Sequence, residues 1–162
     1  MSVFTGTAYV LGLAFDYNMD NVVLIKKNKG PEQFLGKWQG IGGKIKVITP
    51  ETLREAMVRE FKEETGVITL PKQWHCFLIK EYASTLRKSL DAKCYFFAAF
   101  GDFIKNVRTV TDEEIKIETI EGLHFEGLEL YAYDLPYLIQ MVRKEVMSGN
   151  FKALNPEGVN HP

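Results

Sequence analysis

Residues Thr49 to Gly66 carry a full set of helix punctuation, and this stretch constrains the chain more than any other. Thr49 suits an N-cap, Pro50 fits the first helical position and Gly66 stands where a left-handed C-cap belongs, so the sequence predicts a helix over 50–65. On a wheel advancing about 100° per residue from Leu53, the apolar Leu53, Ala56, Met57 and Phe61 share one broad arc. Glu60 falls at about 340°, Glu64 at about 20° and Glu63 at about 280° on the same wheel. Glu60 and Glu64 thus share the face that must be buried.

Solvated helix glutamates are the ordinary explanation of an acidic cluster, but here position argues against it. Carboxylates crowded beside apolar neighbours repel one another and lose hydration unless a cation compensates. Arg59 can pair with Glu55 or Glu63 at a spacing of four, yet one arginine does not neutralise the group. A hard divalent cation does, and Mg²⁺ favours sites with few carboxylates, completed by water and phosphate oxygens.

The rest of the chain supplies a mixed fold. Thr7–Phe15 and Asn21–Lys27 read as two strands of a hairpin across the turn-prone Asp16–Asp20. Gly30 to Gly43 is too glycine-dense for regular structure throughout and predicts a loop with close backbone approach. Trp74–Tyr82, Lys93–Phe103 and Ile115–Ile120 read as strands, with the polar Ala83–Ala92 between the first two, and Leu135–Met147 reads as a helix. Strands mixed with helices favour an α/β sheet covered by helices. At 162 residues without a linker-like stretch, the chain is expected to be a single domain over 1–162.

A formal charge of -1 disfavours binding to a nucleic acid polymer but leaves a small phosphorylated ligand open. Cys76 and Cys94 are too few for a disulfide framework and read as buried free thiols in a reducing compartment. No targeting or membrane segment is evident, so a cytoplasmic location is expected. His75 and His124 lack paired ligands and read as packing or surface residues.

Gly43, Glu51 and the run Arg59-Glu60-Phe61-Lys62-Glu63-Glu64-Thr65-Gly66-Val67 together resemble the Nudix box, in which a glycine and a glutamate precede R-E-U-x-E-E-x-G-U, with U bulky and apolar. The spacing from Glu51 to Arg59 matches. Seven residues rather than the usual five separate Gly43 from Glu51, which implies a two-residue insertion in the loop Lys44–Pro50. The resemblance implies an α/β/α sandwich with a mixed sheet. It also implies that Glu60, Glu63 and Glu64, with a backbone carbonyl near Gly43, hold Mg²⁺ or Mn²⁺, while Glu51 and Arg59 fix the loop against the helix.

For such an enzyme, Glu60 or Glu63 is a candidate general base for water attack on a phosphoanhydride. In many members a later-loop carboxylate assists. Glu113 and Glu114, beside Asp112, are its counterparts here, against the alternative of a solvated acidic turn. Lys44 and either Lys26 or Lys27 suit substrate phosphate, although strand alternation sends only one of the latter pair to each face. The segment Gly36-Lys37-Trp38-Gln39-Gly40-Ile41-Gly42-Gly43-Lys44 resembles that of Nudix nucleoside triphosphatases acting on oxidised purine nucleotides. That likeness implies a triphosphate cut to monophosphate and pyrophosphate, with Trp38 bordering the nucleotide or packed under the loop. Asp134 matches an acidic residue that reads the purine edge in similar enzymes, and it equally suits an N-cap. The alternatives are hydrolysis of ADP-ribose, a nucleotide sugar or a dinucleoside polyphosphate, or a sensor that binds nucleotide without cleaving it.

Overall fold

The computed structural model describes residues 7–30, 32–46, 50–83, 90–123 and 125–156. Among these lie seven strands, β1 (Thr7–Phe15), β2 (Asn21–Lys26), β3 (Trp38–Gln39), β4 (Ile41–Lys44), β5 (His75–Ala83), β6 (Leu90–Phe100) and β7 (Ile115–Thr119). Two helices, α1 (Leu53–Thr65) and α2 (Leu135–Met147), accompany them. The sheet runs β3-β2-β1-β6-β5, with β4 added to β1 and β7 to β2. β1 and β6 are parallel from Thr7↔Ala92 to Phe15↔Phe100, and the other strand pairs are antiparallel, so the sheet is mixed.

Alternation along the strands divides the buried residues between two cores. Val10 and Ala14 of β1, Val23 and Ile25 of β2, and Phe97 and Ala99 of β6 pack with Ala56, Met57 and Phe61 of α1. Their neighbours Leu11, Leu13, Phe15, Val22, Leu24, Phe96 and Ala98 pack with Leu135, Ile139 and Val142 of α2. Each helix therefore covers one face, giving the expected α/β/α sandwich. Phe61 anchors α1 through edge-on contacts with Trp74 and Phe103, with ring centroids 5.3 and 5.7 Å away. Cys76 and Cys94 are buried free thiols, and burial pushes them up to about 11 and about 12 respectively.

One edge of β1 is shared. Its first half pairs with β4 from Tyr9↔Lys44 to Gly12↔Ile41, whereas its end meets β2 at Phe15↔Val22. The sheet forks there, and the functional cleft opens beside the fork.

Several boundaries differ from the sequence expectations. Thr49 lies outside the described residues, and α1 begins at Leu53 instead of Pro50. The reason is a reciprocal cap: the Thr52 side chain accepts from Glu55 N at 3.1 Å, while the Glu55 side chain accepts from Thr52 N at 3.3 Å. Gly66 closes the helix as expected, in the left-handed region at φ 78°, and donates to the Lys62 carbonyl at 2.9 Å. The glycine-rich stretch contains β3 and β4, because β1 supplies a partner edge that local sequence does not reveal. β5 starts one residue later than expected, and β6 runs from Leu90 to Phe100, with a 3-10 turn at Asp102–Asn106 ending the predicted strand early. β2 and β7 each stop one residue short of the predicted end. His124 also lies outside the described residues. No described helix is long and apolar enough to cross a membrane.

Candidate active site

A cavity of about 580 Å³ opens at the fork in the sheet, within the range of small-molecule sites. Its lining combines two kinds of chemistry. Glu60, Glu63 and Glu64 from α1, Glu113 from the loop before β7, and Lys27 and Lys29 after β2 supply charge. Leu11, Ala92, Cys94, Phe34 and Tyr133 supply apolar and aromatic surface, and the buried polar Gln39 also lines it.

Arg59 organises the carboxylate cluster. Its Nη2 donates to Glu51 Oε1 at 2.7 Å and to the Lys44 carbonyl at 3.2 Å, while Nη1 donates to Glu60 Oε1 at 2.7 Å and Glu63 Oε2 at 3.4 Å. Glu51 also accepts from Lys46 N at 3.1 Å, so this one arginine pins both ends of the Lys44–Pro50 loop to α1. Residues 47–49, where the expected insertion falls, lie outside the described residues. The Arg59 side chain holds the Glu51 carboxyl below the usual range, against an opposing contribution from burial.

Glu60 is only 8 % exposed. Burial raises its pKa, partly countered by Arg59. A Cβ on Gly43 would stand 2.5 to 2.7 Å from the Glu60 carboxylate, so any larger residue there would displace that carboxylate from its present position.

Glu64 is more exceptional. Its Oε2 is buried without a hydrogen-bond partner, and burial lifts its pKa to about 8, with Lys27 opposing and Glu60, Glu113 and Glu63 reinforcing the shift. A buried oxygen with no donor, beside three further carboxylates, is a donor set suited to a hard divalent cation. Among the described residues, no group of three or more His, Cys, Asp or Glu side chains stands in an arrangement that would by itself hold a metal ion.

Glu113 is 5 % exposed, and both its oxygens are engaged. Lys27 Nζ donates to one at 2.8 Å and Asn28 N to the other at 2.7 Å. Glu114 is exposed outside this cavity, so the acidic turn delivers only one carboxylate to it. The lysines separate in the same way: Lys27, just past the end of β2, lines the cavity, and Lys26, the last residue of β2, is exposed.

Other expected residues lie elsewhere. The Lys44 side chain is exposed and outside the cavity lining; its backbone carbonyl is the group that Arg59 holds. Trp38 faces Lys116 and Lys26, whose ammonium nitrogens stand 4.1 and 5.9 Å from its ring centroid, and does not line the cavity. Asp134 is exposed at the N-cap position of α2 but makes no side-chain capping bond. Sequence reasoning did not single out Gln39, Phe34, Tyr133 or Lys29. For Gln39 a signal existed, since alternation turns it opposite to Trp38.

Comparison with known proteins agrees with this geometry. The NUDIX domain model matches residues 8–138. A MutT/nudix family protein from Enterococcus faecalis superimposes with a TM-score of 0.66 at 18% identity, covering 91% of this chain. The chain spans 64% of that protein's length. A NUDIX hydrolase from Nitrosomonas europaea gives a TM-score of 0.65 at 14% identity, with 98% of each chain covered. The NUDIX domain of Shewanella oneidensis NrtR, in complex with ADP ribose, gives 0.61 at 18% identity, covering 89% of this chain and 90% of that one. At such identities these likenesses establish the fold alone. No curated protein matches the chain.

Proposed function

The chain belongs to the Nudix hydrolase family, and on that premise we propose that it hydrolyses a nucleoside triphosphate to the monophosphate and pyrophosphate with the help of Mg²⁺ or Mn²⁺. The observation carrying this reading is the lining of one cavity, which combines carboxylates and lysines suited to a metal-bound polyphosphate with apolar and aromatic side chains suited to a base.

Glu60, Glu63 and Glu64 would hold the metal, which supplies charge neutralisation for the pyrophosphate group and a more acidic water. Glu51 and Arg59 keep Glu60 in place without touching substrate. Lys27 and Lys29 meet phosphate oxygens as point charges. A water attacks phosphorus in line, a new P–O bond forms, the bridging P–O bond breaks, and pyrophosphate leaves. A carboxylate takes the water's proton, with Glu60 and Glu63 as the candidate bases. Burial in the cleft strengthens each of these electrostatic contacts.

An ADP-ribose hydrolase is the second reading, favoured by the ADP ribose complex of the NrtR Nudix domain. The test is product release from normal and oxidised nucleoside triphosphates, ADP-ribose and diadenosine polyphosphates, for the wild type and Glu63→Gln in Mg²⁺ or Mn²⁺. Pyrophosphate release by the wild type that is lost in the variant supports the triphosphate reading. Turnover of ADP-ribose alone selects the second, and binding without any turnover replaces both with a nucleotide sensor.

A further inference from the structure

A buried carboxylate oxygen ordinarily takes whatever donor lies within reach, because an unmade bond leaves its desolvation uncompensated. Glu64 Oε2 is buried with no hydrogen-bond partner, yet Lys27 lines the same cavity. The lysine's charge is felt at Glu64: burial weighs most on that carboxyl, Lys27 opposes it, and Glu113 is among the carboxylates that act with burial. A flexible four-carbon stem lets an ammonium choose between neighbouring acids. Something therefore holds Lys27 elsewhere.

Glu113 holds it. Lys27 Nζ donates to Glu113 Oε1 at 2.8 Å, and Oε2 of the same carboxylate accepts from Asn28 N at 2.7 Å. Both lengths are those of charge-assisted bonds. The carboxylate is thus anchored on the backbone of the residue next to the lysine it binds. Two further bonds fix the segments on either side of the pair: Lys26 N donates to the Glu114 carbonyl at 2.9 Å, and Asn28 Nδ2 donates to the Asp112 carbonyl at 2.9 Å. Glu113 N in turn donates to Thr111 Oγ1 at 3.1 Å.

The two acids are left in opposite states. Glu113 has an ammonium and a backbone N–H for its two oxygens, whereas Glu64 keeps one oxygen without a partner. An ammonium on Glu64 would occupy that oxygen and cancel the negative charge that attracts a hard divalent ion. Which acid takes Lys27 therefore bears on whether Glu64 is available to a metal.

We propose that Glu113 is a positioning residue for the metal site: by engaging the Lys27 ammonium, it keeps that ammonium off Glu64 and leaves the Glu64 carboxylate open to the divalent cation. This rests on the metal-dependent reading above, and it sets Glu113 at one remove from both the metal and the attacking water. Glu113 acts only through Lys27, so the consequence of losing Glu113 depends on Lys27 being present.

The test is calorimetric titration with Mn²⁺ alone, without nucleotide, of the wild type, Glu113→Gln, Lys27→Met and the double variant Glu113→Gln/Lys27→Met, each with its thermal melt recorded. Glu113→Gln keeps an acceptor for Asn28 N but no charge for Lys27, and it is expected to weaken Mn²⁺ binding about tenfold, the scale on which loss of a supporting residue lowers metal affinity. Lys27→Met binds at least as tightly as the wild type, and the double variant returns to within about threefold of it. Neither a direct ligand nor a merely structural residue would show that recovery. Unchanged binding by Glu113→Gln overturns the proposal, as does a double variant no tighter than Glu113→Gln, which would make Glu113 a ligand or a part of the fold. Weaker binding by Lys27→Met also overturns it. Should Glu113→Gln lower the melt, its difference from the double variant still decides, because both carry the same change at Glu113. A wild type that binds no Mn²⁺ overturns the metal-dependent reading itself, which is a different outcome from failure confined to the variants.

Discussion

The helices α1 and α2 are each 13 residues long and cover opposite faces of one sheet, yet they bury different chemistry. The buried set of α2 is Leu135, Pro136, Ile139 and Val142, all apolar. On α1, Ala56, Met57 and Phe61 share burial with Glu60 and Thr65, and Glu64 places an unpartnered oxygen beside them. Burying carboxylates costs stability, so α1 needs local support that α2 does without. A reciprocal N-cap, a left-handed glycine C-cap and the Arg59 network supply it. Helices of the same length thus divide the work, α2 holding the fold and α1 holding charge where the fold alone would not put it.

The contrast breaks most sharply if a carboxylate of α1 is dispensable. Glu60→Gln is expected to lower kcat by about 10²- to 10⁴-fold, measured as pyrophosphate release, while the urea midpoint stays close to wild type. Unchanged turnover would reduce Glu60 to a structural residue. On α2 the pattern inverts: Ile139→Ala should cost about 2–5 kcal/mol in urea unfolding, with kcat unaltered at temperatures where the variant is folded.

Glu64 allows a test by pH. Its folded pKa of about 8 lies above the ordinary value of 4.5, so between these values the folded state binds more protons than the unfolded state. With divalent ions chelated, the stability contribution of this group is present below pH about 4.5 and is lost as pH rises through about 8, by up to a few kcal/mol. Glu64→Gln should flatten that decline and melt higher than wild type at pH 8 in chelator, and Mg²⁺ should stabilise the wild type more than the variant. Parallel melting curves across the pH range would remove Glu64 as a buried, uncompensated acid. The smallest effect concerns the caps. Thr52→Ala should cost about 1 kcal/mol, whereas Asp134→Ala, which removes no capping bond, should change stability by less than about 0.5 kcal/mol.

How far the site was legible follows from the same contrast. Glu60 and Glu64 were found on the buried face because helical period alone places them there, and a capped helix keeps that period whatever it packs against. Lys26 and Lys27, adjacent at the end of β2, could be separated only by how the chain leaves the strand toward the cleft. Glu113 and Glu114 posed the same problem in a loop. Trp38 and Asp134 were attractive by residue type, but neither lines the cavity: Trp38 lies against Lys116 and Lys26, and Asp134 is exposed. Phe34 and Tyr133 are separated by 99 positions and carry no motif, so nothing local linked them.

By itself, the amino-acid sequence determined the elements with strong internal periodicity, the two-faced burial of the strands and the spacing of Glu51, Arg59, Glu60, Glu63 and Glu64, because these depend on interactions within a few residues. Tertiary structure alone decided that β4 and β2 share one edge of β1, that Lys27 and Glu113 meet, and that one cavity joins carboxylates on one helix to rings from two distant loops. Those outcomes rest on contacts between segments far apart in the chain, where the energy of pairing and burial depends on what the rest of the fold presents and not on local preference.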